Sequence, residues 1–397
     1  MNNRNKQDNF CLESSFEQAF LECVSLGLAN IKLQNQTISV ALSGGADSTC
    51  LAVLLHYLGL KLQFKVVCLI VDHQLRPEST SEAILVQNYI KDIIGIETHI
   101  LTWQHDATLK RKSSDGGIQA IARKARYDLL NKYCQKNSIK ILCTAHTQND
   151  QAETVLMRLL RGSGINGLSG ISPQTIYNNN TDELIVLRPL LNYQRNEIEN
   201  YLQKLNISWV NDPSNHKLQY DRVMIRKLLG SMVEFINTNS GAKNSALIIP
   251  RIAMVANNAR RSNEFIELEV KKKMQSLIVW KDESCALLDL SAFMSQHEEI
   301  KLRMLKTVLL KVGGNNSLRL SSLLNALGKL NIKTVSNNKI LNSKAEAKSQ
   351  TNYHNDQNKL RQTQTKPANK CKFTLANCIL VKIETTEKQW LKITKEK

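Results

Sequence analysis

No two of the nine cysteines stand as a C-x-x-C pair. That spacing is the usual mark of a zinc or iron–sulfur site, so neither is expected. Several thiols fall inside apolar strand or helix patterns, where a reduced, buried cysteine is the default. Long hydrophobic runs are missing too, and none approaches the ~20 residues that cross a bilayer. The first ten residues, MNNRNKQDNF, are polar and lack the apolar centre of a secretory leader. A cytoplasmic location is the expectation. Repeats of useful length are absent. Acid is scarce beside base: 35 Asp and Glu face 53 Lys and Arg, giving a net charge of +18. Such a surplus points to a polyanionic partner, nucleic acid foremost. Hydrophobic and charged contents of 42% and 22% are those of an ordinary soluble globular chain. At 397 residues there is room for two or three domains.

A lysine is also missing where a common nucleotide loop would carry one. Ile38 to Leu60 reads ISVALSGGADSTCLAVLLHYLGL. Ile38 to Leu42 alternates and is β-branched, as in a buried strand, and Thr49 to Leu60 is apolar at helical spacing. Between them lie Ser43, Gly44, Gly45, Ala46, Asp47 and Ser48. A strand, a glycine turn and a helix make an anion site, because glycine lets backbone approach the ligand and the first helical N–H groups point at negative charge. The Walker pattern requires Lys followed by Ser or Thr, and this turn has none. Backbone and hydroxyl donors suit a pyrophosphate, while Asp47 suits a Mg²⁺ that bridges phosphates. The chemistry expected is cleavage between the α- and β-phosphates.

Strand and helix patterns alternate over the next 150 residues or so. Lys65 to Val71, Glu97 to Leu101, Ile139 to Cys143 and Leu184 to Leu187 read as strands. Ser14 to Leu26, Ser79 to Ile94, Gly117 to Asn137, Thr147 to Arg161 and Tyr193 to Leu205 read as helices. Ser79, Thr80 or Ser81 is able to cap the second of these helices. The alternation predicts an α/β fold with a parallel sheet. Ligands of such sheets sit beyond the carboxyl ends of the strands. Ser43, Asp72, His73 and His146 all lie just after strand ends, so three strands aim polar groups at one edge.

After about Gly230 the pattern changes. Pro250 to Met274, His297 to Val312 and Ser317 to Leu330 read as helices, with Pro250 at a first helical position. Asn337 to Lys370 is rich in Lys, Asn, Gln and Ser and reads as a linker or loop. Lys372 to Glu384 alternates again. The expected organisation is an α/β domain over 1–230, a basic helical domain over 231–336, a linker over 337–370 and a small β element over 371–397.

Three stretches carry chemistry. Val71 to Ser79, VDHQLRPES, sets a carboxylate and an imidazole directly after a buried strand. They can meet a nucleotide or its metal, or serve as a turn Asp with an incidental His. Ala122 to Leu130, ARKARYDLL, puts Arg123 and Arg126 on one helix face, able to hold phosphate or RNA, or simply solvated. Ala145 to Leu168, AHTQNDQAETVLMRLLRGSGINGL, spaces Asp150 and Glu153 for one face near a helix start. They can hold a cationic amine or a metal, or complement the helix dipole. Arg158 and Arg161 follow on the same helix, which ends in a Gly-Ser-Gly loop.

Taken together, these stretches resemble the tRNA(Ile)-lysidine synthetases. The Ser43–Ser48 turn resembles the PP-loop of N-type ATP pyrophosphatases. The family's VDHxLRxES matches Val71 to Ser79, its AR-x-x-RY matches Ala122 to Tyr127, and its AHxxDDQAET…RGSGxxGL matches Ala145 to Leu168. RPLL at Arg188 to Leu191 and WVNDPSN at Trp209 to Asn215, leading into Arg222 and Arg226, complete a likeness over residues 30–230. A weaker one covers Phe373 to Cys378. Asn149 stands where the family has the first Asp of DDQ. It can exchange hydrogen bonds but cannot hold a metal or amine by charge. Ala376 and Asn377 replace glycines of the family's C-terminal TLGGC stretch.

The resemblance implies an adenine nucleotide alpha hydrolase-like catalytic domain followed by a helical domain and a small α+β domain. It implies a C–N ligase that uses ATP and Mg²⁺. The C2 carbonyl oxygen of the wobble cytidine in an isoleucine tRNA with a CAU anticodon is adenylated, pyrophosphate leaves, and free lysine displaces AMP. Codon reading then changes from AUG to AUA. By the same resemblance Ser43 to Ser48 bind nucleotide, Asp47 holds Mg²⁺, and Asp150 and Glu153 hold lysine. Asp72, His73, His146 and Arg123 belong to the reacting centre, with His146 or Asp72 managing the amine proton. Arg126, Arg158, Arg161, Arg222 and Arg226 meet tRNA, and a homodimer is common in the family. The rivals are a tRNA thiolase, disfavoured by the lack of C-x-x-C, and a small-molecule amidating synthetase, disfavoured by the charge. A third is a tRNA-binding protein without catalysis, disfavoured by the intact Ser43, Asp47 and Ser48.

Overall fold

The computed structural model describes residues 2–25, 33–104, 115–178, 183–210, 220–240, 246–314, 318–331, 366–384 and 388–396. It divides into two compact units, 1–261 and 262–397, so the boundary lies some thirty residues beyond the 230 expected from sequence.

The first unit opens with α1 (Asn2–Ser25), longer than the expected Ser14–Leu26 helix. Then come β1 (Thr37–Leu42), α2 (Ala46–Leu62), β2 (Lys65–Asp72), α3 (Ser79–Ile94) and β3 (Glu97–Thr102). They are followed by α4 (Asp115–Lys136), β4 (Ile141–Cys143), α5 (Gln148–Leu160) and the single turn α6 (Ile165–Leu168). The edge pair β5 (Gln174–Asn178) and β6 (Glu183–Leu187), then α7 (Arg195–Lys204) and α8 (Tyr220–Ser240), complete it before α9 (Ile248–Leu277). Pro250 stands third in α9 rather than first, still within the turn whose N–H groups have no helical partner.

Six strands form one sheet in the order β3-β2-β1-β4-β6-β5. Every pairing is parallel except β5 with β6. That antiparallel edge strand was not expected from sequence. Both faces of the sheet are covered, which is why its strands are apolar on both sides. Ile38, Val40, Leu42 and Ile70 pack with α1, α2, α3 and α7 around Phe16, Phe20, Leu51 and Leu55. Val67, Leu69, Leu142 and Val186 pack on the opposite face with Leu130 and Cys134 of α4. α2 is buried over most of its length, and each leucine so removed from water stabilises by about 2–3 kcal/mol. The chain leaves β1 toward β2 on one side, while β4 lies on the other. Such a reversal opens a crevice beyond the carboxyl ends of β1 and β4.

The second unit begins within α9 and continues through β7 (Ile278–Asp282), β8 (Cys285–Asp289), α10 (Leu290–Met294), α11 (Glu298–Gly313) and α12 (Leu320–Asn331). It closes with β9 (Lys366–Leu375), β10 (Cys378–Glu384) and β11 (Gln389–Lys395). The order β7-β8-β11-β10-β9 makes one antiparallel sheet. Leu305, Val308 and Leu309 of α11 and Leu330 of α12 pack against Leu288, Leu380, Leu391 and Ile393. The alternating Lys372–Glu384 stretch is therefore not a separate element. It pairs through β11 with two strands that lie in the segment expected as a helical domain, between the helices expected there. Lys366 to Lys370, expected in the linker, belong to β9. The rest of that linker, 337–365, lies outside the described residues, as do Asn211 to Asn215 of the WVNDPSN stretch. Among the described residues no helix is long and apolar enough to cross a membrane.

Candidate active site

The crevice starts with the turn between β1 and α2. Gly44 has φ 82°, and a Cβ there would lie 2.6 Å from Val86 Cγ2 on α3, so only glycine fits. The turn is tied from inside. Ser48 Oγ accepts from Ser43 N at 3.1 Å, donates to Gly45 O at 3.1 Å and lies 3.0 Å from Ser43 Oγ. Val210 N donates to Gly44 O at 2.9 Å. Ser48 is buried and holds the turn's shape, while Ser43 is exposed at its mouth. Gly45 caps α2 with no side-chain cap, so the turn's first helical N–H groups meet no side-chain oxygen there.

Asp47 stands in the first turn of α2. Its Oδ2 accepts from Arg195 Nη2 at 2.9 Å, across 148 residues of sequence. Its Oδ1 is buried and has no hydrogen-bond partner among the described residues. Burial pushes the Asp47 carboxyl above its ordinary value, Arg195 pulls it back, and Asp150 and Glu199 add smaller upward pushes. An anionic oxygen buried without a donor is costly unless a cation meets it, so the residue fits a divalent ion. Among the described residues no three His, Cys, Asp or Glu side chains are grouped to share a metal. One carboxylate plus phosphates and water is the habit of Mg²⁺.

Arg195 was not singled out from sequence. It is the first residue of α7, and its N–H donates to Asn149 Oδ1 at 2.9 Å. Asn149, the departure from DDQ, thus pins the start of α7 with its amide oxygen.

Asp72 ends β2 and is 2% exposed. Its Oδ1 accepts from Ser79 Oγ at 2.7 Å and Gln74 N at 3.0 Å, and its Oδ2 from Thr80 Oγ1 at 2.6 Å. Burial would raise its pKa, but these bonds, Thr80's foremost, hold it below the usual carboxylate value. Asp72 is thus bound into the turn as a carboxylate. The geometry corrects one expectation: Ser79 and Thr80 do not cap α3, whose N-cap is Glu78 without a side-chain bond. His73 packs edge-on against Trp103, ring centroids 5.9 Å apart.

His146 follows β4, its Nδ1 3.1 Å from Thr144 Oγ1. Burial first, then Arg188, Arg123 and Arg126, push its pKa down to about 4, against the pull of Asp150. The imidazole is therefore neutral at pH 7. The same guanidiniums surround Tyr127. Arg123 and Arg126 lie over its ring at 5.3 and 5.5 Å. Burial raises the phenol's pKa, yet Arg123, Arg126 and Arg188 outweigh it and bring it below the ordinary value. Arg222 also acts on Arg126. Arg188, expected only as part of RPLL, is buried and donates to Ser172 O and Thr175 Oγ1. These cations make an electropositive wall beside His146.

α5 begins with a capping box. Thr147 N and Oγ1 donate to Asp150 Oδ2 at 2.9 and 3.1 Å, and Asp150 N returns to Thr147 Oγ1. Glu153, one turn on, is 4% exposed. Its Oε1 accepts from Arg226 Nε of α8 at 2.6 Å, and its Oε2 is buried with no partner among the described residues. Asp47, Asp150 and Glu153 all act on Arg195, so the two acids of α5 stand beside the turn. Arg158 does not join them. Its Nη1 donates to Gly167 O at 2.7 Å and Gly170 O at 2.9 Å, which ties down the turn that follows the Gly-Ser-Gly segment. Arg161, at the C-cap, is exposed.

With this geometry in hand, the chain can be set beside known proteins. The PP-loop domain family matches residues 12–232. A tRNA(Ile)-lysidine synthase of Wolbachia pipientis is 36% identical over 68% of this chain and 58% of its own length. One from Zymomonas mobilis is 34% identical over 76% of this chain and 87% of its own. One from Orientia tsutsugamushi is 34% identical over 71% and 60%. The chain spans less than two thirds of the Wolbachia and Orientia relatives.

Proposed function

The chain belongs to the tRNA(Ile)-lysidine synthase family of PP-loop proteins, and on that premise we propose that it joins free lysine to C2 of the wobble cytidine in a CAU-anticodon isoleucine tRNA. The observation that supports this most is the company Arg195 keeps: the acid of the glycine turn and the two acids of α5 bear on one guanidinium. This nearness supports reading the turn as a phosphate cradle and the two acids as an amine-holding pair of the same crevice.

In this reading the N–H groups of the turn and of the start of α2 face the β- and γ-phosphates of ATP, with Ser43 at the mouth and Ser48 keeping the turn closed. Asp47 Oδ1 would hold Mg²⁺, which when bound would supply charge neutralisation for the departing pyrophosphate. Arg123, Arg126 and Arg222 face the anionic adenylate or the RNA backbone beside it. Glu153 Oε2 and Asp150 take the ammonium end or the α-amino group of lysine, and Arg226 is placed to take its carboxylate. His146, neutral at working pH, accepts the amine proton as the C–N bond forms. His73 stays against Trp103 as part of the wall. Arg161 and the basic second unit contact tRNA, so affinity falls steeply with salt. A homodimer in the cytoplasm completes the proposal, and light scattering tests the dimer.

The decisive assay supplies ATP, labelled lysine and isoleucine tRNA bearing CAU, with methionine tRNA of the same anticodon as control. Label in the first tRNA and not the second supports the reading. Pyrophosphate release without transfer of lysine refutes it.

A further inference from the structure

The two oxygens of Asp47 are in different states: Oδ2 carries the Arg195 guanidinium, while Oδ1 is buried without a hydrogen-bond partner among the described residues. Arg195 is aimed from its own backbone, through the bond from its N–H to Asn149 Oδ1. Asp150 and Glu153 also act on this guanidinium, and Asp150 and Glu199 on Asp47, yet its 2.9 Å contact is with Asp47.

We propose that Arg195 confines Asp47 to a single coordinating oxygen, so that the cation site of the loop selects Mg²⁺ over Ca²⁺, and that Asn149 positions Arg195 for this task. The inference rests on the reading of the loop as the seat of a metal-bound nucleotide. Its chemistry is geometric. Ca²⁺ gathers about six to eight oxygens at about 2.3–2.6 Å and readily takes both oxygens of one carboxylate. Mg²⁺ demands an octahedron at about 2.0–2.1 Å and keeps its waters. With Oδ2 occupied by a guanidinium, a two-oxygen grip is closed. Ca²⁺ loses a ligand and Mg²⁺ loses none. Selectivity of this kind comes from ligand number and rigidity rather than from charge, and the Asn149 anchor supplies rigidity. An amide oxygen accepts an N–H as a carboxylate oxygen does, so Asn at 149 retains the anchor.

The test follows Mn²⁺ by electron paramagnetic resonance on the full chain with a non-hydrolysable ATP analogue, displaced by Mg²⁺ or Ca²⁺ and referred to the free analogue. No turnover is involved. Arg195→Ala is expected to shift the Mg²⁺/Ca²⁺ preference toward Ca²⁺ on the order of tenfold, the weight of one charge-assisted hydrogen bond. Asn149→Ala shifts it the same way but less, and Asn149→Asp and Arg195→Lys preserve it. Should Arg195→Ala fail to fold, Arg195→Met, which keeps the stem and loses the donors, carries the same expectation. Unchanged preference in the folded variant, with metal bound to both proteins, overturns the proposal alone. A wild-type chain that binds no metal with the analogue overturns the nucleotide reading and this inference with it.

Discussion

Removal of Arg226 exposes the energetic weight of the acid pair. Glu153 sits with a side chain 6% exposed, one oxygen on Arg226 Nε at 2.6 Å and the other with no partner. Breaking a fully buried ion pair by deleting one member costs roughly 3–5 kcal/mol, because the remaining charge is left uncompensated. Arg226 is 37% exposed, so water can reach the vacated space and the surface figure of about 0–1 kcal/mol pulls the estimate down. An Arg226→Ala variant should therefore lose about 2 kcal/mol, close to a 30-fold rise in the opening equilibrium of the elements involved. The loss belongs to α5 and α8, which meet at Ala152, Ile225 and Leu229. Hydrogen exchange read on peptides of those two helices measures it without assuming that the two units unfold together. The double variant Glu153→Gln/Arg226→Ala removes the stranded charge and should recover about half the loss or more. Equal exchange in the single and double variants would show that the pair is solvated and that Glu153 is no buried acid awaiting a cation.

Gly44→Ala should cost about 1–2 kcal/mol from its left-handed backbone alone, beyond the clash with Val86, and cut pyrophosphate release on the order of 100-fold. Adding Val86→Ala should recover stability but not the rate. His146 takes up protons later in the folded chain than in the unfolded one, since its pKa falls from 6.5 to about 4. The unfolded state thus binds more protons between those values, and stability drops as pH falls through that window, by about 2 kcal/mol at pH 5. His146→Asn should flatten this slope in urea titrations at pH 5 and 7. Arg161→Ala should lower the slope of log affinity for tRNA against log salt by about one unit. Arg158→Ala should leave that slope alone and instead raise protease cleavage within 162–170, because its contacts are two carbonyls of that segment.

Local patterns were legible where one segment carries its own signal. The bounds of α3 emerge unchanged from the sequence, and the strand-end positions of Ser43, Asp72 and His146 follow from apolar runs that stop at polar residues. What was hidden depends on partners remote in the chain. Arg195 reads as an ordinary helix-start residue until Asp47 is brought to it. Ser79 and Thr80 look like caps, since hydroxyls at a helix start usually are, yet the Asp72 carboxylate one turn away is a stronger acceptor. Arg158 lies in the same motif as Arg161, and only the folded turn that brings Gly167 and Gly170 back to it separates an internal brace from an exposed cation. β7 and β8 fell within a segment read as helical: they pair with each other, but the strand that joins that hairpin to the rest of its sheet, β11, lies far downstream.

That last separation has a consequence for synthesis. Roughly a hundred residues lie between β8 and the strand that covers its open side, so a ribosome moving at about 5–20 residues per second leaves the β7–β8 hairpin bare for about 5–20 s. During that interval Ala286 and Leu288 have β7 on one side and no strand yet on the side that Ile393 and Leu391 will cover, and an unpaired strand edge recruits whatever extended chain is at hand. The second unit is thus the part of this protein that should lean on chaperones as it emerges, while the parallel sheet, complete once β6 has been made, can already be folded upstream.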